Sequence, residues 1–427
     1  MLPTLLTRSA ALARTAALAR TAVAAAAVLG LAVVTGCSPG TASGEPTWVP
    51  QQNYPGNNDP KPQLPRPGLP APSESTSPSG PGSTPGSPQP GPTTTAPAAD
   101  PSVVATKLNQ PTGLVVLPDG TALVGERTTG RILRVQPAPG QPATLIQRLA
   151  GVDGSGDGGL LDLAISPTFG EDGLIYAYLS TATDNRVVHF SPGSPPSVVL
   201  AGIPKGRTGN AGRITFDATG ALLTGTGDAG RPALAASATS LAGKILRTSD
   251  IGRPLPDNPV AGSPIFARGL RSVDGLCVDP RSGLRIAISA SAPARPGAAA
   301  SPDEVNVIKA GADYGWPGNG PASTPPARTL PAASAGGGGC ALVANRLLVA
   351  TSTGKSLAIS EVSPAGDAGA FSSSLQNRYG RLAGVVAGSD GALWLTTRNR
   401  DGHGKPVPAD DRVIRISPED GSASPIT

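Results

Sequence analysis

The sequence predicts an all-β chain folded as a six-bladed β-propeller, and three observations support this. A pattern of short apolar strands joined by D-G, T-G or S-G turns recurs six times between residue 106 and the end of the 427-residue chain. Helical periodicity is weak over that region, which argues against an α/β domain. Each repeat runs to about 50 residues, enough for three or four short strands, and small sheets that are apolar on both faces need neighbours to cover them, so the ring must close.

Residues 1–36 read as a secretory lipoprotein signal lying outside the fold. Arg8, Arg14 and Arg20 precede the apolar run TAVAAAAVLGLAVV with no acidic residue, and Val34-Thr35-Gly36-Cys37 has the form of a lipid-attachment site. The apolar run falls short of the roughly 20 residues a membrane span needs. Cys37 is therefore the expected acylated N-terminus, with the lipid as the anchor at the extracytoplasmic face of the membrane. Residues 37–105 follow as a Pro-, Ser- and Gly-rich linker that cannot bury enough apolar surface to order itself.

The six units then come in order: PTGLVVLPDGTALVGERTTGRILRV (111–135), GGLLDLAISPTFGEDGLIYAYLSTATDNRVVHF (158–190), NAGRITFDATGALLTGTGDAG (210–230) with LAGKILRT, RSVDGLCVDPRSGLRIAISA (271–290) with DEVNVIKAG, GGGCALVANRLLVATSTGKSLAISEV (337–362), and GRLAGVVAGSDGALWLTTRNRDG (380–402) with DDRVIRISP. The strand nearest the axis should be small and glycine-rich, because blades crowd there; GLVVL, DLAIS, RITFD, GLCVD, CALVA and GVVAG fit. GTGDAG, Gly225 to Gly230, matches G-x-G-x-x-G but follows a second strand and leads back into another. A dinucleotide fingerprint needs a strand, a turn and a helix, so this is a propeller turn.

Composition narrows the partners. The formal charge falls from +5 to +2 once Arg8, Arg14 and Arg20 are removed with the signal. No basic cluster interleaved with aromatics remains, which excludes a nucleic-acid surface, and the domain reads as a monomer. Two histidines and two scattered cysteines show neither zinc-ligand spacing nor a nucleophile–histidine set. In an exported protein Cys277 and Cys340 fit a disulfide as well as they fit two buried thiols.

The motifs GLLDLAISPTF, NAGRITFD…TGDAG, LAGKILR, LPDNP, ARGLRSVDGL, DEVNVIKAGADYGWP and GALWLTTRNRDG…DDRVIRI resemble the glucose/sorbosone dehydrogenase family, in order from about Leu108 to Pro418. The lipoprotein layout is similar to actinobacterial, mycobacterial-type members. The resemblance implies pyrroloquinoline quinone (PQQ) and calcium as cofactors, sugar oxidation as the activity, and a histidine general base steadied by an aspartate. Gly209 stands in the histidine's place and Thr208 in the aspartate's. The remaining histidines, His189 and His403, read as structural and solvated. Among quinone-contacting positions, Arg271 is kept beside Ser272 in place of an asparagine; Asp157 replaces a glutamine; Arg381 is kept while Ala383 replaces its partner; and the fifth unit's lysine gives way near Thr353, with Lys355 close by. Asp228 is retained. Glu304 and Tyr314 match positions near a metal, although SASAPARPGAAAS replaces the stretch that supplies calcium-binding carbonyls. Asp303 and Glu304 read, in preference, as a surface carboxylate pair at a strand start.

Three functions follow as expectations. In the first, the chain is a catalytically degenerate propeller that binds a sugar or polyol ligand at its axial funnel. In the second, it is an active PQQ- and calcium-dependent oxidoreductase with Asp157 or Asp228 as base. In the third, it is an interaction scaffold of the cell envelope, against which the 3% aromatic content speaks mildly.

Overall fold

The computed structural model describes residues 100–290, 302–318 and 334–418, with residues 320 and 322–331 between the last two stretches. The expected signal, the lipidation site Cys37 and most of the linker lie outside the described residues. The strands form six antiparallel four-stranded sheets. β1 (Val103–Ala105) belongs to the last of them. Blade one is β2 (Pro111–Val116), β3 (Ala122–Glu126), β4 (Arg131–Val135) and β5 (Thr144–Arg148). Blade two is β6 (Leu160–Ile165), β7 (Ile175–Ser180), β8 (Asn185–Phe190) and β9 (Ser197–Ile203), with a one-turn helix α1 (Phe169–Asp172) after its first strand. Blade three is β10 (Arg213–Phe216), β11 (Leu222–Gly225), β12 (Lys244–Thr248) and β13 (Ile265–Arg268), with α2 (Ala233–Ala236) before β12. Blade four is β14 (Val273–Val278), β15 (Arg285–Ser289), β16 (Glu304–Val307) and β17 (Arg328–Thr329). Blade five is β18 (Gly337–Val343), β19 (Arg346–Thr351), β20 (Ser356–Glu361) and β21 (Ser372–Ser374). Blade six is β22 (Leu382–Ala387), β23 (Leu393–Thr397) and β24 (Val413–Ile416), completed by β1.

That last pairing moves the expected linker boundary. The fold does not begin at residue 106: Val103 and Ala105 register against Ile414 and Val413, so the chain's early strand closes its final blade. Asp100 fastens the same corner, accepting hydrogen bonds from Ser102 N, Arg378 and Tyr379. The short segment VVA is flanked by linker-like proline and threonine, which hides it from pattern reading.

The first strands β2, β6, β10, β14, β18 and β22 touch in closed cyclic order around the axis, as their small residues predict. The reason shows at Gly275, where an added Cβ would strike the carbonyl of Gly338 on the next blade. The core is divided accordingly. Instead of one centre there are six apolar clusters, each between two adjacent blades; Leu123 and Ile132 pack on Leu160 and Ala177, for example, and Leu348 and Leu357 on Leu393 and Ile414. Nearest-neighbour burial of this kind is what makes ring closure obligatory. Cys277 on β14 and Cys340 on β18 form a disulfide between the inner strands of blades four and five, with Cα atoms 5.7 Å apart. The GTGDAG turn leads into α2, which has only four residues before β12, so no dinucleotide-type helix follows.

Candidate functional site

The starts of the inner strands and the loops above them surround a funnel of about 480 Å³. Their far ends line a second cavity of about 480 Å³, and Thr112 and Arg213 border both, at the waist of the axial channel. Five arginines line the funnel: Arg127, Arg213, Arg271, Arg381 and Arg398, with Asp157, Asp274 and Asp401 as the lining acids.

Each arginine is held differently. Arg127 donates to Gln110 Oε1 (2.9 and 2.6 Å) and to the carbonyls of Gly156 and Gly158, so neutral groups orient it and its charge stays available. Arg213 donates to the main-chain carbonyl of Asp274 at 2.6 Å and stands 3.6 Å from Asp162. Arg381 is bidentate on Asp401, at 3.0 and 2.8 Å. Arg271 lies over the Trp316 ring, 6.0 Å from its centroid. The Arg398 guanidinium has no hydrogen bond or ion pair among the described residues. Burial, then the like charge of Arg213, lowers its pKa, although Asp274 and Asp401 oppose the shift. Burial pushes the carboxyls of Asp162 and Asp274 up to about 6, against the pull of Arg213.

Of the residues expected from sequence, Asp157, Arg271 and Arg381 stand in the funnel. Asp157 is pinned there: its carboxylate accepts from Gly209 N at 2.6 Å and from the Asn210 side chain. Asp228 does not line the funnel. It is buried, and its two oxygens accept from Gly230 N (2.8 Å) and Trp316 Nε1 (3.0 Å), which makes it a brace for the GTGDAG turn. Thr353 and Lys355 are exposed outside the funnel lining. His189 sits on β8 against the Tyr176 ring, 5.4 Å between centroids. His403 is exposed, as expected of a solvated loop residue, but its loop brings it to the funnel lining. Sequence reading missed Arg127, Arg213, Arg398, Asp274 and Asp401. Arg213 and Asp274 are polar residues near the starts of inner strands, and Arg127, Arg398 and Asp401 follow the second strands of their blades. The signal that could have found them is a charged residue at either of those two places.

Calcium does not fit at Glu304 and Tyr314. The Tyr314 hydroxyl donates to Val307 O at 2.6 Å and accepts from Lys309 N, so this side chain is engaged within its own loop. Glu304 is half-buried at the start of β16 and faces Asn306, and burial with the nearby Asp303 raises its pKa. Asp303 is no surface acid: it is buried and accepts from Gly336 N and Gly337 N. Among the described residues no group of three His, Cys, Asp or Glu side chains could hold a metal. A polycarboxylate quinone does fit the donor set, since five guanidiniums face one cavity and three lining acids only partly offset them.

At the position where the resemblance places the family's base, the backbone is left-handed and tightly packed. Gly209 has φ +71°, and a Cβ there would come 2.5 Å from Asp228 Oδ1 and 2.8 Å from Gly230 N. Gly212, two residues before Ile214, has φ +106° and would drive a Cβ into the Tyr178 ring.

A six-bladed ring whose axial funnel is lined by five arginines and three acids defines a class of propeller with a cationic axis. The glucose/sorbosone dehydrogenase profile matches residues 108–324, and the chain belongs to that family. The PQQ-bound aldose sugar dehydrogenase of Streptomyces coelicolor superposes with a TM-score of 0.68 at 36% identity, covering 74% of this chain and 96% of that one. A glucose dehydrogenase-type putative oxidoreductase of Thermus thermophilus gives 0.67 at 34%, covering 74% and 98%. Among curated relatives, the aldose sugar dehydrogenase YliI of Escherichia coli is 29% identical over 233 residues (50% of this chain) and quinoprotein glucose dehydrogenase B of Acinetobacter calcoaceticus 30% over 257 (51% of this chain). The matched segments cover 61% and 52% of those two proteins, so the chain spans between half and two thirds of their lengths.

Proposed function

We propose that this is a lipid-anchored envelope propeller that binds a polyanionic, quinone-type ligand in its axial funnel and does not oxidise sugars with it. The observation that carries the reading is the pairing of an arginine-lined funnel with a base position, Gly209, that has no room for a side chain. Arg127, Arg271, Arg381 and Arg398 would hold the carboxylates of PQQ, and Arg213 would close the floor. When bound, PQQ supplies an ortho-quinone able to accept two electrons. The protein's part of an oxidation would be to take the proton of a substrate hydroxyl, which needs a base within hydrogen-bond reach. Asp157 is occupied by Gly209 and Asn210, and Asp228 by Gly230 and Trp316.

A second reading, retained PQQ- and calcium-dependent oxidation of sugar or alcohol hydroxyls, is favoured by one observation: Asp274 is a half-buried carboxylate in the funnel lining, and burial pushes its pKa up to about 6. An assay with aldoses, PQQ, calcium and an artificial acceptor separates the two; sustained turnover would overturn the first. The anchor is tested separately. Replacing Cys37 by Ser should release the protein from the membrane fraction, and retention there would contradict lipidation.

A further inference from the structure

The three acids of the funnel are not equivalent. Asp157 is bound by amides and Asp401 by Arg381, whereas the Asp274 carboxylate accepts, among the described residues, only from Ser272 Oγ, at 2.9 Å. Arg213 grips the main-chain carbonyl of Asp274 and leaves the carboxylate free of direct contact. The Arg398 guanidinium, within electrostatic reach of Asp274, has no hydrogen-bond partner among the described residues. An acid and a cation thus face the same space on the funnel floor without being joined.

We propose that this floor is a proton-coupled anion site, in which an entering planar polyanion takes Arg398 and Arg213 as its counter-ions and Asp274 gives up its charge by taking a proton. The inference rests on the reading of the funnel as a polyanion site. Without ligand, the two arginines partly stabilise the Asp274 carboxylate, yet burial already holds its pKa at about 6. A bound anion adds like charge and draws off those arginines, so both changes push Asp274 further towards its neutral form. Binding therefore takes up a proton, and affinity falls as pH rises through about 6.

Other groups bear on the same titration. Arg213 on β10, Arg398 in the loop after β23 and Asp303 ahead of β16 act directly on Asp274. Asp162 lies on the far side of Arg213, and Arg381 and Asp401 neutralise one another further out. His403 at the funnel lining is the rival source of pH dependence, because a protonated imidazole would also favour an anion.

The probe is 1,3,6-naphthalenetrisulfonate, a planar trianion whose charge does not change with pH. Calorimetry on the whole protein, in buffers of different ionisation enthalpy, reads affinity and proton uptake together. Wild type should take up only a fraction of a proton per ligand at ~pH 5.5, where most of Asp274 is already protonated, and approach one proton at ~pH 7.5. It should lose more than about tenfold in affinity between the two. Asp274→Asn should keep the Ser272 hydrogen bond, bind at both pH values as wild type does in acid, and take up no proton. His403→Gln should retain the wild-type pH dependence, and Arg398→Gln should weaken binding at both pH values. Binding with no proton uptake, or a pH dependence that survives Asp274→Asn and vanishes in His403→Gln, overturns this inference and leaves the polyanion site standing. No binding by wild type at either pH overturns both.

Discussion

A Cβ placed on Gly209 would lie 2.5 Å from Oδ1 of Asp228. Gly209 is thus a left-handed glycine packed on the carboxylate that braces the next turn, and on the proposed reading it stands where the family's histidine base would be. On that reading a histidine at position 209 should not supply a working base. Gly209→His is expected to cost about 1–3 kcal/mol of stability, from positive φ and the clash together, and to give no aldose oxidation. Chemical denaturation and a dye-linked assay check both parts; a stable, active variant would show that the glycine is a simple loss.

Cys277 and Cys340 cross-link two inner strands across 63 positions of sequence. Chain-entropy arguments assign a closed loop of that size about 4 kcal/mol. The double Cys→Ser variant should unfold at a correspondingly lower denaturant midpoint, with blades four and five the first to exchange their amides. An unchanged midpoint would mean that the six inter-blade cores alone hold the ring.

Lys244 is fully buried on β12, and its ammonium donates to the carbonyls of Leu234, Ala235 and Ala242, at 2.8, 2.7 and 2.7 Å. It ties α2 to the turn that carries Asp228. Lys244→Met removes three hydrogen bonds, leaving Leu234 O and Ala235 O with their main-chain donors Ser237 N and Gly269 N and Ala242 O with none among the described residues. It should cost about 1–3 kcal/mol in equilibrium unfolding. If the loss is negligible, water has taken the place of the ammonium.

Asp274 also leaves a mark on stability. Its folded pKa is about 6, above its ordinary value of 3.8, so the folded state holds the proton more tightly. Its contribution is fully present below ~pH 4 and is lost as pH rises through about 6. Asp274→Asn should match wild type in acid and exceed it by about 1 kcal/mol near ~pH 8, the partial exposure of the group having been discounted. A variant less stable than wild type at both pH values would mean that the carboxylate is held by contacts that stabilise its charged form.

The fold was legible because its physics is local and repeated. Hairpin turns such as Asp119-Gly120, with Gly120 at φ +79° and Asp119 accepting from Thr121, announce each blade in sequence, and the glycine-rich first strands announce the axis. The closing strand β1 was not legible, since three residues carry no period and their partner lies some 310 positions away, an order of separation no local pattern encodes. The site was half legible for a related reason. Arg271, Arg381 and Asp157 sit in motifs, whereas Arg213, Asp274 and Arg398 come from three different blades and meet only when the ring closes. Asp228 misled because a retained acid beside a glycine turn looks the same in sequence whether it faces a ligand or a tryptophan N–H.

What the funnel holds, and whether it holds it without a metal, decides the function of the propeller. The direct measurement is a calorimetric titration of the purified protein with PQQ, in excess calcium and again in a calcium chelator. Five lining arginines and no three-ligand metal cluster among the described residues predict micromolar or tighter binding, with the same affinity in both buffers. Absence of heat in both, or binding that appears only with calcium, would contradict it.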